Sequence, residues 1–334
     1  MSERGSILVT GGAGYIGAQV CKALAAAGYR PVVLDDLSSG ERRAARFGPF
    51  HEGDLRDAAA LARVLDAEAV DAVVHLAGLI NQPASFAAAE AYHAVNVAAS
   101  EGLLAAMAAR GIRRLVFASS AAVYGEPAAV DPARGIAESQ PAKPGSPYAL
   151  SKYAIEKRLA AGAAEAGLRY LALRFFNAAG ADRDGSLGEN HREETHLIPL
   201  AIRAATGLGP ALTVHGSDFP TPDGTAIRDY VHVEDLAVAH LAGLAYLEAG
   251  GASRVLNLGA GHGTSVRQVI DQVAAACGRP VPFATGPRRP GDAAVLVADI
   301  AEARRVLGWQ PRLSDLATIV ASAAAWETGG RRQA

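Results

Sequence analysis

The sequence predicts an α/β protein: a doubly wound parallel sheet with a smaller, more irregular C-terminal α/β domain. Three observations carry this. Short apolar runs alternate with longer helical patterns through the first half of the chain. The first run, Ile7-Leu8-Val9, leads into Gly11, Gly14 and Gly17, spaced G-x-x-G-x-x-G, and a helical pattern opens at Ile16. After Asn177 the texture turns polar, glycine-rich and discontinuous. Strand–helix alternation is βαβ, and it implies parallel strands with helices on both faces.

In chain order, strands are expected at Ile7–Thr10, Pro31–Leu34, Ala72–His75, Leu115–Ala118 and Leu168–Arg174, with helices at Ile16–Ala27, Ala58–Ala67, Ala87–Ala109 and Tyr148–Ala166. Gly180–Glu194 reads as a loop, His196–Ala205 as a short helix, Leu212–His215 as a strand and Gly216–Thr225 as a turn-rich loop. Val233–Leu247 and Thr264–Cys277 read as helices and Val255–Leu258 as a sheet strand. This divides the chain into residues 1–180 and 181–334, with a return to the first unit around 229–262. In parallel sheets chemistry sits beyond the strand C-termini. The residues found there are Asp35, Asp54, Ala77-Gly78, Ser119-Ser120 and Asn177.

The glycine triplet has a physical reading. Residues without Cβ let backbone N–H groups approach a pyrophosphate, and the helix N-terminus adds unpaired donors. The same spacing also occurs in tight turns that bind nothing. Here it follows a strand, opens a helix and precedes Asp35 at close to the ~20-residue offset of a ribose-binding acid. Together these define a Rossmann-type dinucleotide domain. A carboxylate at Asp35 would repel a 2′-phosphate, so the cofactor is read as NAD. Gly259-Ala260-Gly261-His262-Gly263 also joins a strand to a helix, but no acid follows it as Asp35 does, and it is not read as a second nucleotide site.

Composition narrows the function. The 334 residues carry a formal net charge of −2 without a basic block, which leaves no electrostatic footprint for nucleic acid. Half the chain is hydrophobic, yet no apolar run reaches the ~18–20 residues that span a bilayer. Met1–Ser6 lacks the shape of a signal peptide, and the two cysteines, Cys21 and Cys277, are read as buried thiols of a cytoplasmic protein. His191 and His196, with Glu193 and Glu194 between them, match no metal-binding spacing, so no metal is expected.

Tyr148 and Lys152 form Y-x-x-x-K at the start of a helix, on one helix face. A phenol of pKa ~10 is a poor base at neutral pH, and bringing it to ~7 takes roughly 4 kcal/mol. A nearby cation favours the phenolate, so Lys152 and a cationic nicotinamide ring are expected to lower it. Ser119 and Ser120 end the preceding strand, where a hydroxyl could hold a substrate oxygen against Tyr148. A tyrosine and a lysine one turn apart also arise by chance.

These motifs extend into a resemblance. Val9–Gly17, Gly53–Asp57, Ser119–Gly125, Tyr148–Lys152, Arg174–Ala181, Glu194–Pro199 and Asp223–Val233 together resemble the extended short-chain dehydrogenase/reductases, and closely the UDP-glucose 4-epimerase family among them. The similarity runs from Ile7 to about Trp309. It implies Tyr148 as base, Lys152 as its electrostatic partner and Ser120 as the hydroxyl bridging Tyr148 and the sugar. It implies a cofactor channel along Gly11, Gly14, Tyr15, Ile16, Gly17, Asp35, Asp36, Leu37, Asp54, Leu55, Ala77, Gly78, Leu79, Asn96, Ser119 and Phe175. For the UDP-sugar it implies Asn177, His196, Leu197, Thr213, His215, Arg228, Tyr230, Arg289, Asp292 and Leu296.

A diphosphate in a protein of little net charge does call for forked cationic donors, which Arg228 and Arg289 could supply. Alternatively, Arg228 pairs structurally with Asp229, and Arg288-Arg289 is a solvated basic turn. The chain departs from the family pattern at Gln82-Pro83-Ala84-Ser85, at Ile80 where a lysine is common, and at His215 where a phenylalanine is common. The implied reaction is NAD-dependent 4-epimerisation of UDP-glucose and UDP-galactose. Other UDP-sugars, and a catalytically silent NAD sensor, stay open as alternatives. A 4,6-dehydratase would need an acid and a base where Ala121 and Ala122 stand. A homodimer through the Ala87–Ala109 and Tyr148–Ala166 helices is implied as well.

Overall fold

The computed structural model describes residues 4–127, 135–289 and 291–329. Met1–Glu3 of the N-terminal segment lie outside the described residues. The strands are β1 (Arg4–Thr10), β2 (Tyr29–Asp35), β3 (Phe50–Glu52), β4 (Val70–His75), β5 (Arg114–Ser120), β6 (Arg169–Phe175), β7 (Asn177–Ala179), β8 (Leu212–His215), β9 (Ile227–Arg228), β10 (Tyr230–His232), β11 (Arg254–Leu258), β12 (Thr264–Ser265), β13 (Phe283–Gly286) and β14 (Val295–Leu296). The helices are α1 (Tyr15–Ala26), α2 (Ala58–Ala67), α3 (Gln82–Ser85), α4 (Ala89–Tyr92), α5 (Ala99–Ala109), α6 (Pro147–Ala166), α7 (Leu197–Thr206), α8 (Val233–Glu248), α9 (Val266–Cys277), α10 (Ala301–Leu307) and α11 (Leu316–Thr328).

Seven strands form one sheet in the order β11-β6-β5-β4-β1-β2-β3, and every pairing in it is parallel. The strand order reverses between β1 and β4, which places the ligand crevice beyond Thr10 and His75. Period-two alternation builds both layers. Ile7, Val9, Val33, Val74 and Leu171 join a core with α1 and α8. Leu8, Val32, Val73, Leu115 and Phe117 face α2, α5 and α6. A third core lies among α7, α9, α11 and β8, around Ile198, Ile202, Val214, Val269 and Ile319.

The later chain does revisit the first sheet: β11 is its edge strand, α8 supplies Leu236 and Leu244 to its core, and Ile300, Ala303 and Trp309 join the same core. Cys21 and Cys277 are both free thiols, set in α1 and at the end of α9; Cys21 is buried as expected, but Cys277 is only half-buried at the helix end. No helix among the described residues is long and apolar enough to cross a membrane.

Two expected helices are corrected. Ala87–Ala109 reads as one amphipathic run, but the chain passes from α4 through a π-helical stretch, His93–Ala98, into α5. Asn96 lies in that stretch and bonds both the amide and the carbonyl of Leu79. Such π insertions are typical where a helix must re-aim a side chain. The expected helix from Thr264 starts instead at Val266. Thr264 and Ser265 pair with β9, and Ser265 closes a capping box with Gln268.

Candidate active site

The phosphate turn is built as its spacing requires. Gly11 has φ 72°, and a Cβ there would lie 2.7 Å from Ala77 N, so only glycine lets the turn touch the end of β4. A Cβ on Gly17 would lie 2.0 Å from the Gly11 carbonyl oxygen. Gly14 is the N-cap of α1 and provides no side-chain cap, so the first amides after it are not taken up by a cap. This cradle fits a pyrophosphate.

Asp35 does more than its sequence position suggests. One carboxylate oxygen accepts from Ala13 N at 2.9 Å and the other from Leu37 N at 2.9 Å. The acid therefore braces the glycine turn, and burial pushes its pKa up. Leu37 sits at φ 57°, a left-handed conformation that costs a leucine roughly 1–2 kcal/mol. Asp36 caps Ser38 N, Arg56 holds the Asp54 carboxylate, and Leu55 packs against the α2-side core.

Below the crevice runs a buried polar chain absent from the sequence reading. Thr10 Oγ1 and His75 Nδ1 are 2.7 Å apart, His75 Nε2 and Ser100 Oγ are 2.8 Å apart, and Ser100 donates to the Asn96 carbonyl. Burial lowers His75 to about 3, so its imidazole is neutral. The Asn96 side-chain amide also donates to Ser151 Oγ at 3.0 Å, so Asn96 positions the Ala77–Leu79 loop against α6. A Cβ at Gly78 would lie 2.9 Å from Asn96 Oδ1 and 3.7 Å from Lys152 Nζ. The close approach of Asn96 is what calls for glycine there.

Ser120 ends β5 and Tyr148 lies at the start of α6, and the Ser120 hydroxyl acts on the phenol to favour its ionised form. Ser120 Oγ also accepts from Ala122 N at 3.1 Å, which orients it. Two expectations are corrected here. Burial raises the Tyr148 phenol above its ordinary value, opposed only by Ser120. Lys152 does not offset this: its Nζ donates to the Ala118 carbonyl at 2.9 Å and lies over the Phe117 ring. Burial lowers Lys152 to about 8. Ser119 points into the core, donating to Glu156 Oε1 at 2.5 Å, and Glu156 forms a buried ion pair with Arg174. Its hydroxyl is taken up by structure rather than turned to a cofactor. Phe175 sets its ring 6.0 Å from that of buried His240.

The expected substrate residues gather on short strands. β9 pairs with β14 so that Arg228 lies opposite Leu296. Arg228 donates to the Ala293 carbonyl at 2.8 Å and pairs with Asp292 at 3.4 Å. The expected alternative partner, Asp229, is engaged elsewhere. Its carboxylate accepts from Ala260 N, Gly261 N and Ala298 N at 2.6, 3.0 and 3.1 Å. The second glycine loop is thus an anion-binding turn filled by the chain's own acid. Asn177 pairs with Tyr230 across β7 and β10, and Tyr230 is buried, its phenol pushed up to about 12.

Thr213 and His215 lie on β8, and His215 Nδ1 is 3.3 Å from the Pro287 carbonyl. Arg288 pairs with Asp218 and stacks over Phe219, while Arg289 is exposed. His196 is the N-cap residue of α7, which opens at Leu197. Its imidazole contacts Glu189, and His191 joins the same carboxylate at 3.1 Å. Those acids raise both imidazoles against the effect of burial, His191 to about 9. Tyr15, from the phosphate turn, donates its hydroxyl to the Gly180 carbonyl at 2.5 Å and so latches α1 to the segment after β7.

A parallel sheet with a glycine turn at its switch point and a serine–tyrosine–lysine set beside it defines a dinucleotide-dependent enzyme. The model of the NAD dependent epimerase/dehydratase family matches residues 7–259, and the chain belongs to that family. It is 46% identical to a UDP-glucose 4-epimerase of Azospirillum brasilense, over 96% of this chain and 91% of that protein. A UDP-glucose 4-epimerase from Brucella ovis, in complex with NAD, superposes with a TM-score of 0.93 at 44% identity, covering 96% of this chain and 98% of that one. One from Bifidobacterium longum, in complex with NAD+ and UDP, gives 0.91 at 35% identity, covering 98% and 99%.

Proposed function

We propose that the chain is an NAD-dependent 4-epimerase interconverting UDP-glucose and UDP-galactose. The observation that carries it is the placement of Ser120 at the end of β5 and Tyr148 at the start of α6, on the same sheet edge as the glycine turn. When bound, NAD supplies a reversible hydride acceptor. Tyr148 takes the proton of the sugar 4-hydroxyl as C4 is oxidised and returns it as C4 is reduced. Ser120 holds that oxygen, and the Ala122 amide leaves its O–H free to donate. Rotation of the 4-keto sugar about its diphosphate link presents the opposite face. Arg228 and Arg289 hold the diphosphate, with Asp292 setting the pose of Arg228. Ala121 and Ala122 carry no proton-transferring group, which favours epimerisation over dehydration. The other named channel and pocket residues line these two ligands, with Asn96 and Ser119 supporting them from behind.

The enzyme pairs as a homodimer through the α5 and α6 faces. The exposed Leu150 on α6 gives the second copy apolar surface, and sedimentation at equilibrium tests it.

The decisive assay incubates purified protein with UDP-galactose and no added NAD, following UDP-glucose and absorbance at 340 nm. Conversion to an equilibrium mixture without net NADH is the expected result. NADH released in proportion to turnover would sink the reading.

A further inference from the structure

We propose that Glu189, His191, Glu194 and His196 form a divalent-metal site, suited to zinc, in the segment between the main sheet and α7. The four donor atoms all lie within 4.8 Å of one another. His191 Nδ1 is 3.1 Å from Glu189 Oε1 and 3.8 Å from Glu194 Oε1, and His196 Nδ1 is 3.6 Å from Glu194 Oε1. His196 Nδ1 also contacts Glu189 Oε1. A tetrahedral ion with ~2.0–2.2 Å bonds spaces its ligands ~3.3–3.6 Å apart. The three longer separations lie near that value, while the His196–Glu189 pair would have to open and the widest pair close to take an ion.

The charges and surroundings fit too. Two carboxylates and two neutral imidazoles leave a charge of −2, which one divalent ion cancels. The Glu189 and Glu194 side chains are 5% and 1% exposed, while His196 at 46% leaves a way in from solvent. Both imidazoles aim Nδ1 at one Glu189 oxygen, so the four side chains already converge on one point. The acids are braced from behind: Arg203 reaches Glu194 Oε2 at 3.4 Å, and Trp326 Nε1 donates to the Glu189 carbonyl at 2.8 Å. Ligand sets of imidazole and carboxylate held by such outer partners are characteristic of zinc.

The ion would have a structural task. His191 lines a cavity with Gly14 and Tyr15 at the start of α1, and His196 begins α7. Metal binding would pin the segment between them without entering the proton transfers at Tyr148. The sequence alone groups Glu193 with the histidines. The fold leaves Glu193 out and brings in Glu189, giving E-x-H-x-x-E-x-H.

The test uses the full chain, stripped with a chelator, dialysed, and titrated with Zn2+ against a chromophoric competitor and with Co2+ by visible absorption. The expected results are one equivalent of Zn2+ per chain and the intense visible bands of four-coordinate Co2+. Loss of a ligand should cost more than the ~10–100-fold seen for lost outer partners, so Glu189→Gln and His191→Ala should each weaken Zn2+ at least ~100-fold. Circular dichroism checks that the variants fold. If a variant does not fold, the wild-type Co2+ spectrum decides. Absence of those bands, binding well below one equivalent, or unchanged affinity in both folded variants would overturn the site.

Discussion

Tyr148 is held in a pocket that works against its proposed chemistry. Burial favours the neutral phenol, and Lys152 is turned to a backbone carbonyl. A cation must therefore arrive with the ligands or by reorientation of Lys152. Tyr148→Phe should lose at least ~10²-fold in kcat while UDP affinity, by calorimetry, stays nearly constant. If Lys152 reorients to face the phenol, Lys152→Met removes a cation that favours phenolate, and the acid limb of the kcat–pH profile should move to higher pH. An unmoved limb would remove Lys152 from that role.

Asp35 belongs to the same scale. Facing a 2′-phosphate it should cost NADP ~1–4 kcal/mol at effective dielectrics of 80–20. Equal affinity of the apoprotein for both cofactors would contradict this. Leu296 sits opposite Arg228 and packs against the core that holds Ala121 and Val123. Successive strand residues point to opposite sides, so one of the pair limits the sugar C2 substituent: Leu296 by the family resemblance, with Val295 as the alternative. Overpacking of ~1–3 kcal/mol predicts a 5- to 150-fold penalty, in order of magnitude, for an N-acetylated sugar. Leu296→Ser should shrink that penalty and Leu296→Tyr should widen it, read as a ratio of initial rates.

At the scale of elements, short pieces are held by buried acids. Asp229 ties the loop after β11 to β9 and to the residue after Val297, through three backbone amides. Charge-assisted bonds of this kind contribute ~1.5–3 kcal/mol each before desolvation is subtracted, and orphaned donors cost a similar amount. Asp229→Ala should therefore destabilise by ~2–5 kcal/mol in urea unfolding. A loss below ~1 kcal/mol would show that the loop holds without its anion. The π-helical stretch at His93–Ala98 works similarly: it spends helix regularity to aim Asn96 at the Ala77–Leu79 loop.

Across the whole molecule, a redox-neutral cycle requires that the cofactor stay bound between the two half-reactions. Contacts between α1 and the segment after β7 are the candidates for holding it. Tyr15, one residue past Gly14, reaches across to the Gly180 carbonyl, and Lys22 from the same helix bridges Asp182 and Asp184. The protein should therefore purify with NAD attached. Tyr15→Phe deletes one buried hydrogen bond of ~0.5–1.5 kcal/mol and should release NAD several-fold faster in a dilution experiment followed by fluorescence. Unchanged release would place retention elsewhere.

The sequence by itself determined the strand–helix alternation, the glycine turn and the Tyr148–Lys152 spacing, because each depends on neighbours within a few residues. Apolar runs such as Ile7–Thr10 and Leu115–Ala118 carry their own period, and a glycine spacing is a local steric demand. Only the tertiary structure decided the rest. β7, β9, β10 and β14 are two or three residues long and exist because distant partners pair with them. The tasks of Ser119, Asn96 and Asp229 depend on which buried donor or acceptor faces them, and that is set by chain crossings tens of residues away. The convergence of Glu189 with His191, Glu194 and His196 likewise comes from a loop folding back on itself, a geometry that no spacing rule encodes.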